Sequence, residues 1–234
     1  NLTMLPDGNV FLVGGATTSD VYATASAVKP AALWSPATES WTAMAAMSEP
    51  RLYHSTSLLL PDGRVLVSGG GRFGPDFPSA EIFSPPYLFK GARPTISSAP
   101  GVVAYNGHFS VGTPNGAQIT SVVLLRLGSV THAFDENQRY VELAFSQVAG
   151  GLDVTAPTNP NIVPPGYYML FIVNVTGVPS VSWILRFPAP WEDSVQPSAP
   201  TNLSASASPG AVLLTWTAAT DNVGVVRYNV HRGA

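Results

Sequence analysis

Leu60-Pro61-Asp62-Gly63-Arg64-Val65-Leu66-Val67-Ser68-Gly69-Gly70 decides the fold, because the chain has already used the same phrase as Leu5-Pro6-Asp7-Gly8-Asn9-Val10-Phe11-Leu12-Val13-Gly14-Gly15. Each copy sets an Asp-Gly turn before an apolar strand that closes on Gly-Gly. Asp-Gly is a strong hairpin signal, since glycine accepts the positive φ of a tight turn. The second half of the unit recurs as well. Ala32-Leu33-Trp34-Ser35-Pro36 is matched by Glu81-Ile82-Phe83-Ser84-Pro85, and the offsets of 55 and 49 residues define one unit with a loop of variable length.

Each unit predicts strand, Asp-Gly turn, strand, loop, strand and a Pro-containing turn. In the first unit a fourth strand is expected to begin at Trp41, with Trp34 and Trp41 packing between sheets rather than stacking on substrate. Four antiparallel strands with a Gly-Gly and a late Trp form the kelch blade pattern of a β-propeller. Propellers close with about four to eight blades, so residues 1–93 are expected to be the incomplete end of one, with further blades before residue 1. From 94 to 188 about seven short strands follow, including 102–105, 108–111, 119–127, 140–145 and 167–173. Turn residues separate them, which predicts an immunoglobulin-like β-sandwich. Residues 189–198 have the Pro-rich, polar composition of a linker. Residues 199–234, with strands expected at 199–203, 212–216 and 225–230, resemble the opening of a fibronectin type III domain. A whole module needs about 90 residues, so this tail is expected to be weakly packed, with an open strand edge and Trp216 short of burial. The fold class is therefore all-β.

Composition supports that class. The chain is 45% hydrophobic and carries 22 Pro and 21 Gly without a collagen-like period, which suits many short strands and turns. Only 11% of residues are charged and the net charge is −3, so nothing supplies the basic surface that a nucleic-acid partner needs. No apolar run approaches the roughly 20 residues of a membrane span. There is no cysteine, which excludes disulfides and thiol chemistry within these residues. The chain opens Asn1-Leu2-Thr3-Met4, which looks like an internal cut, and the lack of a visible signal peptide is then uninformative. Asn-X-Ser/Thr sequons at Asn1, Asn174 and Asn202 matter only in a eukaryotic secretory setting.

The chemistry concentrates in Arg51-Leu52-Tyr53-His54-Ser55, which runs into the strand beginning at Thr56. Neighbouring residues at a strand mouth point different ways, so Tyr53 and His54 serve one site only where the backbone bends. Phenol and imidazole are oxygen and nitrogen donors that copper(II) accepts; the same pair can also simply cap a strand. Wider context comes from Ser129-Val130-Thr131-His132-Ala133-Phe134-Asp135-Glu136-Asn137-Gln138-Arg139 and from the strand Tyr167-Tyr168-Met169-Leu170-Phe171 with the later Gly177-Val178-Pro179-Ser180. The stretch from Arg51 to Val65 resembles the last propeller blade of the galactose oxidase and glyoxal oxidase family of copper-radical oxidases. The stretch from Ser129 is similar to that family's Thr-His loop and its Asp/Asn-Gln-Arg element, and the other two match the end of the same domain. The resemblance covers residues 1 to about 188.

This resemblance implies copper as cofactor, with Tyr53 as axial ligand and proton acceptor and with His54 and His132 as the histidine ligands. It also implies a tyrosyl radical cross-linked to a cysteine. Both partners of that thioether are expected upstream, because this chain has no cysteine and would not be competent alone. The expected whole is a secreted, extracellular enzyme of bacterial type. It would oxidise a small-molecule primary alcohol, aldehyde or carbohydrate with O₂ and release hydrogen peroxide. The alternative is a non-catalytic carbohydrate-binding or adhesion protein on the same scaffold. Arg72, Phe73 and Phe77, in the loop after the Gly run, are candidate substrate contacts, although Arg72 suits a surface salt bridge as well. His108 is expected to face solvent and His231 to lie in the tail, away from the site. Asp135, Glu136 and Asp153 do not form the paired carboxylates of a glycosidase.

Overall fold

A computed structural model describes residues 1–71, 75–189, 196–221, 225 and 227–231. Among these residues the regular elements are nearly all strands, with three single-turn 3₁₀ helices at Thr24–Ser26, Pro86–Phe89 and Gly116–Gln118. Among the described residues no helix is long and apolar enough to cross a membrane.

The repeated phrase builds the same turn twice. In the first copy the Gly8 amide bonds the Leu5 carbonyl, and Asp7 Oδ1 accepts from the Asn9 amide at 3.1 Å; in the second, Gly63 bonds Leu60 and Asp62 Oδ1 accepts from the Arg64 amide at 3.0 Å. The two glycines sit at φ 81° and 79°. Each turn joins two strands of an antiparallel sheet. The first sheet orders β1 (Leu2–Met4), β2 (Val10–Leu12), β3 (Pro30–Ser35) and β4 (Ser40–Ala46). The second orders β5 (Ser55–Leu59), β6 (Val65–Gly69) and β7 (Ala80–Phe83).

Period-two alternation sends Phe11 and Val13 of one sheet, and Val65 and Val67 of the other, into a shared core with Leu5, Leu33, Met47 and Tyr87. Phe11 stacks on Phe83 at 4.3 Å, which ties the sheets together through their faces. Trp41 departs from the expectation. It lies in β4 as foreseen, but β4 is an outer strand and the indole is 53% exposed, opposite Trp34.

Residues 108–187 form a sandwich. One sheet orders β12 (Tyr140–Leu143), β9 (Ile119–Arg126), β15 (Gly166–Asn174) and β16 (Trp183–Phe187). The other orders β13 (Phe145–Val148), β14 (Gly151–Thr155) and β8 (His108–Gly112). The expected strand at 140–145 is in fact two strands, β12 and β13, in different sheets, so the chain crosses the sandwich at Ala144. The expected strand at 102–105 is a single parallel bridge from Val102 to Arg186.

In β15 every residue from Tyr168 to Asn174 is buried. Alternate side chains enter the sandwich core with Val111, Leu124 and Leu152. The others (Met169, Phe171 and Val173) face Met4 and Leu59 of the preceding sheets. A strand covered on both faces reads as one continuous apolar run, not as an alternation. Arg93 fastens the same joint from the side, donating to the Asp62 carbonyl on one part and to the Pro179 and Ser180 carbonyls on the other.

Beyond the sandwich, β17 (Thr201–Ser208) and β18 (Ala211–Thr217) pair as an isolated hairpin in which β17 is exposed along its whole length. Trp216 is half-buried, edge-on to Tyr228 at 5.2 Å. No strand forms among the described residues of 225–230.

Candidate functional site

The site begins with Arg51, whose side chain is fully buried although it carries a charge. Its guanidinium donates to the carbonyls of Gly69 (2.9 Å), Phe77 (3.4 Å) and Ser79 (3.0 Å), to Ser79 Oγ (3.0 Å) and to Glu81 (3.2 Å). A buried charge is tolerated only when paired and hydrogen-bonded, and here the pairing holds Gly69, Phe77, Ser79 and Glu81 against residue 51. Burial pushes the Glu81 carboxyl up, but amide bonds from Ser48 and Glu49, with Arg51, outweigh it and hold its pKa below the ordinary value. The Gly-Gly ends of the repeats pack against this stretch. A Cβ on Gly14 would lie 2.4 Å from the Arg51 carbonyl oxygen, so only glycine lets the first copy approach so closely.

The next residues make the bend that one shared site requires. Tyr53 is held through its backbone, its amide bonding the Val21 carbonyl (3.3 Å) and its carbonyl accepting from Gly71 (3.2 Å). His54 then takes φ 65°. This left-handed turn costs a non-glycine residue about 1–2 kcal/mol, and it puts the two adjacent rings side by side, with centroids 4.1 Å apart.

His132 arrives from the sandwich. Its hairpin, β10 (Val130–Thr131) with β11 (Phe134–Asp135), turns through His132 and Ala133 at φ 55° and 65°. Two central residues at positive φ are the mark of a type I′ turn, where Asn-Gly is the usual choice. His-Ala at those positions is strained, and such strain clusters at functional sites. The His132 ring lies 4.8 Å from that of His54 and 5.5 Å from that of Tyr53. Thr131 Oγ1 bonds His132 Nδ1 at 2.7 Å, which leaves Nε2 as the ring nitrogen for an outside ligand.

All three sequence-predicted donors therefore meet, although Tyr53 and His54 are more than seventy residues from His132. Two imidazoles at adjacent corners of a square, each about 2 Å from one ion, have centroids about 4–5 Å apart. The 4.8 Å spacing fits that arrangement. No group of three His, Cys, Asp or Glu that could hold a metal occurs among the described residues, so a metal here depends on the phenol or on outside ligands for its remaining positions. Beside the cluster lies a cleft of about 260 Å³, bordered by Asn1, Ala16, Val21, Leu52, Tyr53 and His132.

Of the proposed substrate contacts, Arg72 and Phe73 lie outside the described residues. Phe77 is half-buried, with its amide on the Gly70 carbonyl and its own carbonyl accepting from Arg51. It is not among the residues bordering the cleft. His108 is exposed and pairs with Asp153 at 2.9 Å on the far sheet of the sandwich. Sequence reasoning passed over Tyr22, whose ring packs edge-on against Tyr53 at 5.4 Å. An aromatic in the variable loop of the first repeat was the only available signal. The buried role of Arg51 also went unread, although the residue was quoted in the motif.

Fold and site together define an all-β protein in which a pair of packed sheets and an immunoglobulin-like sandwich bring a tyrosine and two histidines to their joint. Residues 1–87 match the family model described as glyoxal oxidase N-terminus, and residues 93–187 match that described as galactose oxidase-like, early set domain. Over these two stretches the chain is similar to the galactose and glyoxal oxidases. An aldehyde oxidase of Vitis pseudoreticulata is 39% identical over 59% of this chain and 30% of its own length. Galactose oxidase of Gibberella zeae is 33% identical over 78% of the chain and 28% of its own length. A solved structure described as a novel fungal alcohol oxidase of the AA5 family, in complex with copper, superposes with a TM-score of 0.75. It has 28% identity and covers 81% of this chain and 42% of that one. The chain thus spans less than a third of the length of these two curated relatives.

Proposed function

We propose that this chain is part of a secreted copper-radical oxidase that converts a primary alcohol or an aldehyde with O₂, releasing hydrogen peroxide. The observation that carries the reading is the convergence of Tyr53, His54 and His132 from two separately folded parts. Imidazole nitrogen suits copper(II), so His54 and His132 would hold the ion, with Tyr53 as an oxygen donor. Bound copper, with a cysteine-linked tyrosyl radical, supplies the two one-electron acceptors that alcohol oxidation needs. The cysteine has to come from outside these 234 residues, which contain none.

The chain's own residues do the rest. The cleft beside Tyr53 has room for a small substrate, with Ala16, Val21 and Leu52 as its apolar border. The Tyr53 phenol oxygen would take the hydroxyl proton of a bound alcohol, a role its place between cleft and imidazoles suits. Thr131 keeps the His132 ring oriented through Nδ1. We read the two sheets before residue 93 as the last blades of a kelch-type propeller, and the hairpin of β17 and β18 as the start of a fibronectin type III module. Their support is the double turn repeat and the pairing of Trp216 with Tyr228.

The test is copper titration of the intact protein, followed by oxygen consumption across primary alcohols and aldehydes. Copper-dependent uptake with stoichiometric peroxide is expected. Copper binding without uptake on any of them would favour a non-catalytic carbohydrate binder.

A further inference from the structure

We infer that Gln138 is a positioning residue for His132, acting through the edge strand β1; the inference rests on the copper reading above. At the two ends of β1, Asn1 exchanges both backbone bonds with Val13, and the Leu5 amide bonds the Asn9 carbonyl. Antiparallel strands alternate the side to which their polar groups point. Leu2 and Met4 therefore turn theirs away from β2, along an edge that would stay unpaired.

The Gln138 amide takes both groups. Its Nε2 donates to the Leu2 carbonyl at 2.6 Å and its Oε1 accepts from the Met4 amide at 2.7 Å. A primary amide is the side chain suited to this, because it offers one donor and one acceptor side by side, as a neighbouring strand would. Gln138 closes the loop that carries His132, and Asp135 holds that loop together from inside by accepting from the Ser129 and Asn137 amides.

Through side chains on one face, the same strand is pinned to β5. Thr3 Oγ1 bonds Ser57 Oγ at 2.7 Å and Asn1 Nδ2 donates to Ser55 Oγ at 2.9 Å. Ser55 directly follows His54. Strand β1 is thus a common rail: one face fixes the strand that starts at the first histidine, and the edge fixes, through Gln138, the hairpin that presents the second. The 4.8 Å spacing of the two imidazoles is set across it.

The experiment compares wild type, Gln138→Ala, Gln138→Glu, His132→Ala and the double variant in the intact protein, with Gln147→Ala on the exposed strand β13 as control. Copper affinity and the number of coordinated nitrogens are read by EPR, and hydrogen exchange of residues 129–137 is read in the metal-free protein. Gln138→Ala is expected to weaken copper by about 10-fold or more, to reduce the nitrogen count from two to one, and to speed exchange of the Glu136 amide. Gln138→Glu keeps the acceptor for Met4 and loses the donor to Leu2, so it should fall between, which keeps the test alive if the alanine variant does not fold. Against His132→Ala, the Gln138 change should add less than twofold, because it acts through that ring. Unchanged affinity in both Gln138 variants, or full additivity with His132→Ala, would overturn the inference. Should wild type bind no copper, the copper reading fails, and unchanged exchange at 129–137 in the variants would then overturn the clamp on its own terms.

Discussion

Tyr53 and His54 ride on backbone held from behind by the fully buried Arg51 and its bonds to Gly69, Ser79 and Glu81. His132 sits at the exposed tip of a hairpin whose strands are two residues each. One side of the site is thus backed by a buried network and the other carried on a surface loop, yet both present an exposed histidine at positive φ. The difference teaches where precision comes from. A buried charge network locates one pair of donors, whereas a few side-chain bonds to a neighbouring edge strand must locate the other.

The contrast breaks most visibly at Arg51. Arg51→Met keeps apolar bulk but leaves the Gly69 and Ser79 carbonyls and the Glu81 carboxylate without their donor. Leaving buried carbonyls without a donor costs about 1–3 kcal/mol, measurable by urea unfolding. A loss under 1 kcal/mol would mean that this arm is no more core-like than the other.

His54→Ala and His132→Ala should each weaken copper by about 100-fold or more in a titration. The His132 change, at an exposed tip, should leave metal-free stability within about 0.5 kcal/mol. The hairpin arm can also be improved. Ala133→Gly places glycine where a type I′ turn wants it, and should raise unfolding free energy by about 1 kcal/mol with copper binding retained, as read by thermal unfolding with and without the metal.

The smallest effect is acidic. Glu81 has its folded pKa below the ordinary value of 4.5. Its contribution is therefore complete above that value and is lost as pH falls through the lowered pKa. Glu81→Gln should flatten the acid limb of the stability–pH curve in that window; a limb of unchanged steepness would assign the acid sensitivity elsewhere.

Much of this architecture was legible. Pro-Asp-Gly predicted both turns because aspartate and glycine do specific jobs there, and the structure repeats the same bonds at Asp7 and Asp62. Strand β15 was legible as central because aromatic and aliphatic residues follow one another without a polar break. Tyr53 and His54 were legible as possible copper donors from their residue types, but His132 could be joined to them only through resemblance, since no local pattern says that residues 54 and 132 meet. Arg51 was hidden for the opposite reason: a charged residue in a loop is ordinarily solvated, and only tertiary packing reveals its burial. Trp41 misled because a large apolar side chain is expected inside, whereas an outer strand leaves one face to water. Gln138 sat in a quoted motif without a role, because its partners are the backbone groups of a strand more than a hundred residues away.

The central claim, that Tyr53, His54 and His132 hold one copper ion, is tested most directly by EPR of the copper(II)-loaded intact protein beside its His54→Ala and His132→Ala variants. The account predicts hyperfine structure from two imidazole nitrogens in wild type and from one in each variant. A wild-type spectrum without two nitrogens, or one that neither substitution alters, would contradict it.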